Sequence, residues 1–339
     1  MTKLLFILLF LFGCSPTEKK VDKAFYYWRS VFKLNTYEKN YLNHSQINKL
    51  YIKYFDVDWN ELFNATKIIA PIQFVDSIPS DIEVIPTIFI TNRTLLNIPD
   101  INIDFLYNDI INSINKISEQ QNISFNEVQF DCDWTPKTQI KYFQLLKQLQ
   151  TYYQDKSIDI SVTLRLHQYK YPNITGIPPA SRCMLMFYNM GDINKLDTKN
   201  SIIDINTAKT YLNHNKKYPL PIDIAFPVFS WGVVYRIDEV VELLNNISVY
   251  NLNNKKLYKY ISDNYYSVTK NHYLDGIYLY KGDKIKIEDV KYSQLVNSAE
   301  LLSDEFSYDY ITISFFSLTQ SNLEDFSDKK INEIIDIFN

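Results

Sequence analysis

The chain has 339 residues, of which 46% are hydrophobic and 15% aromatic, enough apolar surface for one packed core of barrel size. Thirty-five basic residues stand against 39 acidic ones, a net charge of −4, which excludes the basic stripe expected of a nucleic-acid surface. The 27 tyrosines fit the codon bias of an AT-rich genome, with a sugar-binding surface as the alternative.

At the N-terminus Lys3 precedes an apolar run from Leu4 to Phe12, followed by Gly13 and Cys14. That run is about half the ~20 residues needed to span a bilayer, so it reads as a signal-peptide core. Leu11-Phe12-Gly13-Cys14 resembles a bacterial lipobox. The resemblance implies that Cys14 is lipidated, that residues 1–14 comprise the signal and its lipobox, and that the protein is a lipoprotein on a membrane of the bacterial cell envelope, on the periplasmic or surface side of an outer membrane. A plain secretory peptide with an incidental cysteine is the alternative. Residues 15–23, SPTEKKVDK, read as a polar tether.

Short apolar runs then alternate with helical patterns, the signature of parallel βα units. The runs are Ala24 to Val31, Leu50 to Asp58, Glu83 to Thr91, Glu127 to Trp134, Asp159 to His167, Arg182 to Met190, Pro221 to Trp231 and Tyr310 to Leu318. Asp104 to Gln120 and Thr138 to Gln154 are the clearest helical patterns, the second with Ile140, Phe143, Leu146 and Leu149 as its apolar stripe. Eight strands with helical crossovers predict an α/β fold, a (β/α)8 TIM barrel over residues 24–339. Between the last two strands lie about eighty residues, Gly232 to Asp309, more than one helix needs. A helical pattern at Asp238 to Leu244 and a hairpin-like stretch from Tyr273 to Ile285 predict a small α+β insertion there. Cys132 and Cys183 lie in apolar strand-like contexts and read as buried free thiols, and the four histidines lack ligand spacing, so neither a metal nor another cofactor is expected.

The most informative stretch is Glu127 to Thr135, EVQFDCDWT. Side chains alternate along a strand, so Asp131 and Asp133 share a face. Two carboxylates that close in a poorly solvated interior share a proton or are matched by a cation. In such barrels the site lies at the C-terminal ends of the strands. Reading those ends gives Trp28, Arg29, Asp56, Asp58, Thr91, Arg93, Asp131, Asp133, Thr135, Arg165, His167, Tyr188, Asn189 and Trp231, a polar and aromatic rim suited to a sugar.

Phe130 to Thr135, FDCDWT, resembles the fourth-strand motif of glycoside hydrolase family 18, the chitinase-type barrels, whose pattern is Asp-x-x-Asp-x-Asp-x-Glu. Cys183 to Met190, CMLMFYNM, resembles that family's sixth-strand Met-x-Tyr-Asp/Asn, and Leu220 to Trp231, LPIDIAFPVFSW, is similar to its seventh-strand segment. The resemblance implies a glycan ligand and places Asp131 and Asp133 as the inner aspartates, Tyr188 as the tyrosine that polarises the substrate's acetamide, and Asn189 where the family has Asp or Asn. In that family the substrate's own N-acetyl group attacks the anomeric carbon, so one protein acid suffices. Here the position of that acid is Thr135, and the motif's first Asp is Val128. Threonine has no proton to give near neutral pH, which puts hydrolysis in question.

Each of these residues also has a plainer reading. Thr135, followed by Pro136, reads as a helix N-cap, and Asp131 as a carboxylate paired with Arg165 inside the barrel. His167 is an alternative proton donor or a surface residue, Asp56 and Asp58 are alternative acids or solvated strand ends, and Trp28 and Trp231 are core or sugar platform. The leading expectation is a lipid-anchored barrel that binds glycan at its mouth. A scaffold whose mouth is plugged by side chains, and a glycosidase using carboxylates of other strands, are the alternatives.

Overall fold

The computed structural model describes residues 19–195, 197–212, 217–306 and 309–339; Cys14, the lipobox and most of the tether lie outside them. Eight parallel strands close into a barrel: β1 (Lys20–Tyr27), β2 (Lys49–Asn60), β3 (Glu83–Ile90), β4 (Glu127–Asp131), β5 (Asp159–Arg165), β6 (Arg182–Met186), β7 (Ile222–Pro227) and β8 (Tyr310–Phe316). Each pairs with its neighbours in sequence, and β1 closes the ring against both β8 and β2. The TIM barrel is thus present, and β1 begins within the stretch read as tether.

Parallel strands are covered on both faces, which is why each reads as an apolar run. One set of alternate side chains, such as Val128 and Phe130 of β4, joins the shell under the helices. Helix α1 (Thr36–His44) starts at a capping box, in which Asn35 accepts from Glu38 N–H and Glu38 accepts from Asn35 N–H. Helix α2 (Ile103–Gln121) buries Leu106, Ile110 and Ile114 and stops at Asn122, whose φ of 51° is the left-handed cap conformation that asparagine tolerates. Helix α3 (Gln139–Gln154) buries Tyr142, Leu145, Leu146 and Leu149. Ile140, assigned to its apolar stripe, points to solvent instead, because the buried face runs through Tyr142 and Leu145. The connection from β2 to β3 carries no helix; it holds a strand, Ala65–Ile69, antiparallel to the end of β2.

The other set of alternate side chains fills the barrel. At its floor this filling is ionic. Lys49 lies 3.1 Å from Asp22 and 3.1 Å from the Tyr310 hydroxyl. Arg182 donates to both oxygens of Asp223, at 2.5 and 2.6 Å, while Asp223 also accepts from Thr312 N–H at 2.6 Å. Glu127 accepts from Ser161 at 2.5 Å. Burial drives the Glu127 carboxyl up to about 6, against the hydrogen bond from Ser161. Above this layer Tyr26 stacks on Tyr51 and donates to Gln129 at 2.6 Å.

After β7 the chain leaves the barrel for an insertion with its own small apolar core. It is a five-stranded antiparallel sheet, in spatial order Glu239–Asn245, Trp231–Arg236, Lys284–Glu288, Tyr265–Val268 and Tyr258–Ser262, with a separate hairpin, His272–Leu274 against Ile277–Leu279. Asp238 to Leu244, read as helical, is therefore a turn and an edge strand. Only Leu244 of Glu239–Asn245 is buried, so the alternation that marks a strand is missing there. The hairpin-like stretch from Tyr273 is a hairpin, turned at Asp275-Gly276, both with positive φ. The only helical segment between Trp231 and Glu288 is a single 3-10 turn, Val249–Leu252, and α4 (Tyr292–Glu305) returns to the barrel.

Candidate functional site

The C-terminal mouth is open. A cleft of about 470 Å³ is walled by aromatic side chains from five strand ends and the insertion. Trp28 follows β1, Phe89 lies near the end of β3, Tyr188 follows β6, Phe229 follows β7, Trp231 opens the insertion and Phe316 ends β8. Their rings form one continuous lining: Trp28 to Phe316 at 5.5 Å, Phe316 to Tyr188 at 5.6 Å, Tyr188 to Phe229 at 5.7 Å and Phe229 to Trp231 at 5.4 Å between centroids. Trp231 was expected at the end of the seventh strand. It starts a strand of the insertion instead, because β7 stops at Pro227, and its indole N–H donates to the buried Glu288 at 2.9 Å. Glu288 is fixed in turn by Ser201 N–H at 2.9 Å and by Lys286 at 2.6 Å.

A second depression of about 370 Å³ adjoins the first, lined by Trp134, Thr135, His167 and Tyr211 among others. Asp133, Arg165, Tyr188 and Asn189 line both, so they form the divide of one bilobed groove. Asn189 takes a left-handed φ of 55°, which asparagine accommodates more readily than most residues.

Asp131, the last residue of β4, and Asp133, on the turn after it, both face Arg165, which lies between them. Its Nε contacts Asp133 Oδ1, one terminal nitrogen donates to Asp133 Oδ2 at 3.3 Å, and that nitrogen stands 3.8 Å from Asp131 Oδ1. Asp131 is 5% exposed and accepts from the Thr163 hydroxyl at 2.6 Å. Burial raises its carboxyl above the ordinary range, against the pull of Arg165. Burial opposes the charge on Arg165 too, but Asp131 and Asp133 outweigh it and raise its pKa further. The pairing of Asp131 with Arg165 expected from the sequence is thus present, and it extends to Asp133. Tyr188 is held by a contact from its hydroxyl to Met186 Sδ at 3.2 Å, and burial raises its pKa.

The remaining rim residues divide. Arg29 lines the cleft, yet its guanidinium donates to the buried Glu38 at 3.0 Å and covers the Tyr27 ring, tying β1 to α1. Asp56 and Asp58 line neither lobe. Lys53 donates to Asp56 at 3.0 Å, and Asp58 binds Arg93 and the Thr91 hydroxyl, with Arg93 foremost in pulling its carboxyl down to about 2. His167 is not at a strand end. β5 stops at Arg165, and Leu166–Lys170 is a short helix that carries the exposed imidazole on the second lobe. Partial desolvation beside the lobe lowers its pKa even though the side chain reaches solvent, with Asp133 opposing and Arg165 adding to the shift. Thr135 is not the N-cap of α3, which is Thr138. The Thr135 carbonyl accepts from the N–H groups of Thr138 and Gln139, both at 2.9 Å, forming a turn before the helix. Among the described residues, Asp131 and Asp133 are the only acidic ones lining either lobe.

Sequence reading missed Phe89, Phe229, Phe316, Asn245 and Asn246. Phe89 and Phe316 had a signal: each lies two residues after a small polar residue, Thr87 or Ser314, at the end of an apolar run, hence on the same face. Asn245 and Asn246 come from the insertion, whose path over the mouth no local pattern announces.

No protein-family model and no curated protein matches the sequence. Solved structures do match in fold. The spore cortex-lytic enzyme SleL of Bacillus megaterium superposes with a TM-score of 0.59 at 16% identity, over 96% of this chain and 76% of that one. A chitinase of Chromobacterium violaceum gives 0.55 at 10% identity, over 94% and 98%. A glycoside hydrolase family 18 chitinase of Cycas revoluta, solved with (GlcNAc)3, gives 0.52 at 10% identity, over 94% and 99%. These likenesses give the chain the TIM-barrel fold of the family 18 chitinases and of the cortex-lytic enzymes.

Proposed function

We propose that this protein binds a glycan containing N-acetylhexosamine along the bilobed groove and does not cleave it by general-acid catalysis. The observation that carries this is the clamp on Asp133. Both carboxylates that line the groove face one guanidinium, so neither stands as a free acid poised at a leaving oxygen. Thr135, in the position of the family's acid, has no proton to give. The aromatic lining supports sugar binding, because rings stack on the apolar faces of pyranoses while Asn189, Asn245 and Asn246 offer amides to hydroxyls. The ligand of the cycad chitinase supports the choice of sugar. The open mouth argues against a plugged scaffold, and the lack of further acids among the described lining residues argues against a glycosidase with carboxylates from other strands.

Lipidation at Cys14 and residence in the cell envelope belong to the same proposal, and rest on the lipobox resemblance alone. A Cys14→Ser chain released from the membrane fraction would support them, and one that stays there would refute them.

Titration calorimetry on the detergent-solubilised chain with tri-N-acetylchitotriose tests the binding. Trp231→Ala is expected to weaken it about tenfold, or ~1.4 kcal/mol, and no reducing ends should appear. Failure to bind any member of a broad glycan panel, or steady release of reducing ends by the unaltered protein, overturns the reading.

A further inference from the structure

We propose that Glu288 is a positioning residue of the groove, holding the Trp231 indole in one lobe and, through Ser201, the chain that carries Asn189 to the divide; this rests on the glycan-binding reading of the mouth. In the insertion sheet Trp231 pairs with Glu288 and Val233 with Lys286. Side chains alternate, so Trp231, Tyr235, Lys286 and Glu288 share one face. The other face, with Val234, Ile285 and Ile287, belongs to the apolar core of the insertion. The shared face is buried too, but with charges in it: Lys286 is 3% exposed and Glu288 1%.

That face grips the chain after β6. Tyr235 donates to Ile193 C=O at 2.8 Å, Lys286 donates to Thr198 C=O, and the Asn200 amide donates to Asp289 C=O at 2.7 Å. Glu288 stands at the centre. One of its oxygens accepts from the Trp231 indole N–H and from Ser201 N–H, both at 2.9 Å, and from the Ser201 hydroxyl. The Lys286 ammonium lies 2.6 Å from the other oxygen. Ser201 in turn reaches the divide. Its C=O accepts from Gly191 N–H at 3.0 Å, and the two backbones lie so close that a Cβ on Gly191 would stand 2.9 Å from Ser201 Cα. Asn189 is two residues before Gly191.

A buried ion pair gains little over well-packed apolar side chains, so holding the sheet against the barrel does not by itself call for a carboxylate here. What the carboxylate adds is direction. A half-buried indole keeps its N–H on an acceptor. With that acceptor fixed by Ser201 and Lys286, the Trp231 ring is held at one angle beside Phe229. Without it the N–H turns to seek water, and the ring leaves the wall on which a pyranose stacks. Binding then loses its preorganised platform while the fold remains.

The test compares two double variants of the full-length protein, Lys286→Met/Glu288→Gln and Lys286→Met/Glu288→Met, by calorimetric titration with tri-N-acetylchitotriose. Both lack the ion pair, and only the first keeps an oxygen for the Trp231 N–H. The glutamine pair should bind within about twofold of the unaltered protein, and the methionine pair about tenfold more weakly. In a Trp231→Ala background the exchange of glutamine for methionine at position 288 should cost less than about threefold, a coupling that a merely structural role would not give. A difference below about threefold between the two double variants, or a larger cost in the Trp231→Ala background, overturns the role and leaves the groove standing. If the methionine pair does not fold, Trp231→Phe decides. It keeps a ring in the wall and deletes the N–H, so affinity should fall by more than about threefold, and a smaller fall overturns the role. If the unaltered protein binds no trisaccharide, the glycan reading of the mouth fails and the role falls with it.

Discussion

Replacing Arg165 by Met keeps much of the side chain's bulk and removes its charge. Asp131, 5% exposed, then faces Asp133 with no cation between them. Breaking a buried ion pair by deleting one partner costs about 3–5 kcal/mol. Arg165 is 20% exposed and Asp133 54%, so the low end, about 3 kcal/mol, applies. With an unfolding entropy of about 2.1 cal/mol/K per residue over 339 residues, the midpoint should fall by about 4 °C. The cost depends on pH with a definite sign. Burial already raises the Asp131 carboxyl in the folded protein, and loss of Arg165 raises it further. A carboxyl with a folded pKa above its unfolded value, ~3.9, destabilises the fold at high pH and ceases to do so once both states are protonated. The deficit of the variant is therefore full at pH 8 and shrinks as the pH falls towards 4. Scanning calorimetry of both proteins at pH 8 and pH 5, with an Arg165→Met/Asp131→Asn double variant that should recover most of the loss, measures it. A deficit below about 1 kcal/mol at pH 8, or one independent of pH, refutes the clamp as described.

Two further outcomes follow from the same geometry. Thr135→Glu places a carboxyl where the chitinase pattern has one, yet it should release no reducing ends from chito-oligosaccharides, because Asp133 stays bound to Arg165; turnover by this single variant would show that the clamp does not suppress catalysis. Asp223→Ala at the floor strands Arg182 and leaves Thr312 N–H without its acceptor, so chemical denaturation should report a loss of about 3–5 kcal/mol, and a loss near zero would mean that the ionic floor is well solvated.

How much of this was legible in the sequence depends on what each residue faces. The eight strands could be read because a strand covered on both faces is apolar throughout, and Asp131 stood out against that background. Strand ends were harder. β4 and β5 stop at Asp131 and Arg165, two or more residues before their apolar runs do, so Asp133 and His167 sit on connections whose direction alternation does not give. In β2 a bulge between Lys53 and Phe55 switches the inward set, bringing Asp56 to the side of Lys53. The Arg165 clamp was half visible, as a pairing with Asp131; that Asp133 joins it depends on the turn after β4. The ionic floor was not visible at all, since Lys49, Arg182 and Asp223 are each isolated charges in the sequence and meet only when the barrel closes.

The ring-closing strand β1 starts at the floor, where Lys20 N–H donates to Asp309 C=O at 2.8 Å. With Cys14 as the point of attachment, six Cα steps separate the lipid from Lys20, a reach of at most about 20 Å. The barrel would then stand base-down on its membrane with the groove turned outward, at a height set by the length of the strands. On that proposal the mouth would face away from the lipid headgroups. It would meet polymer that approaches from above, and lengthening the segment between Cys14 and Lys20 would raise the height of capture while loosening the direction in which the groove looks.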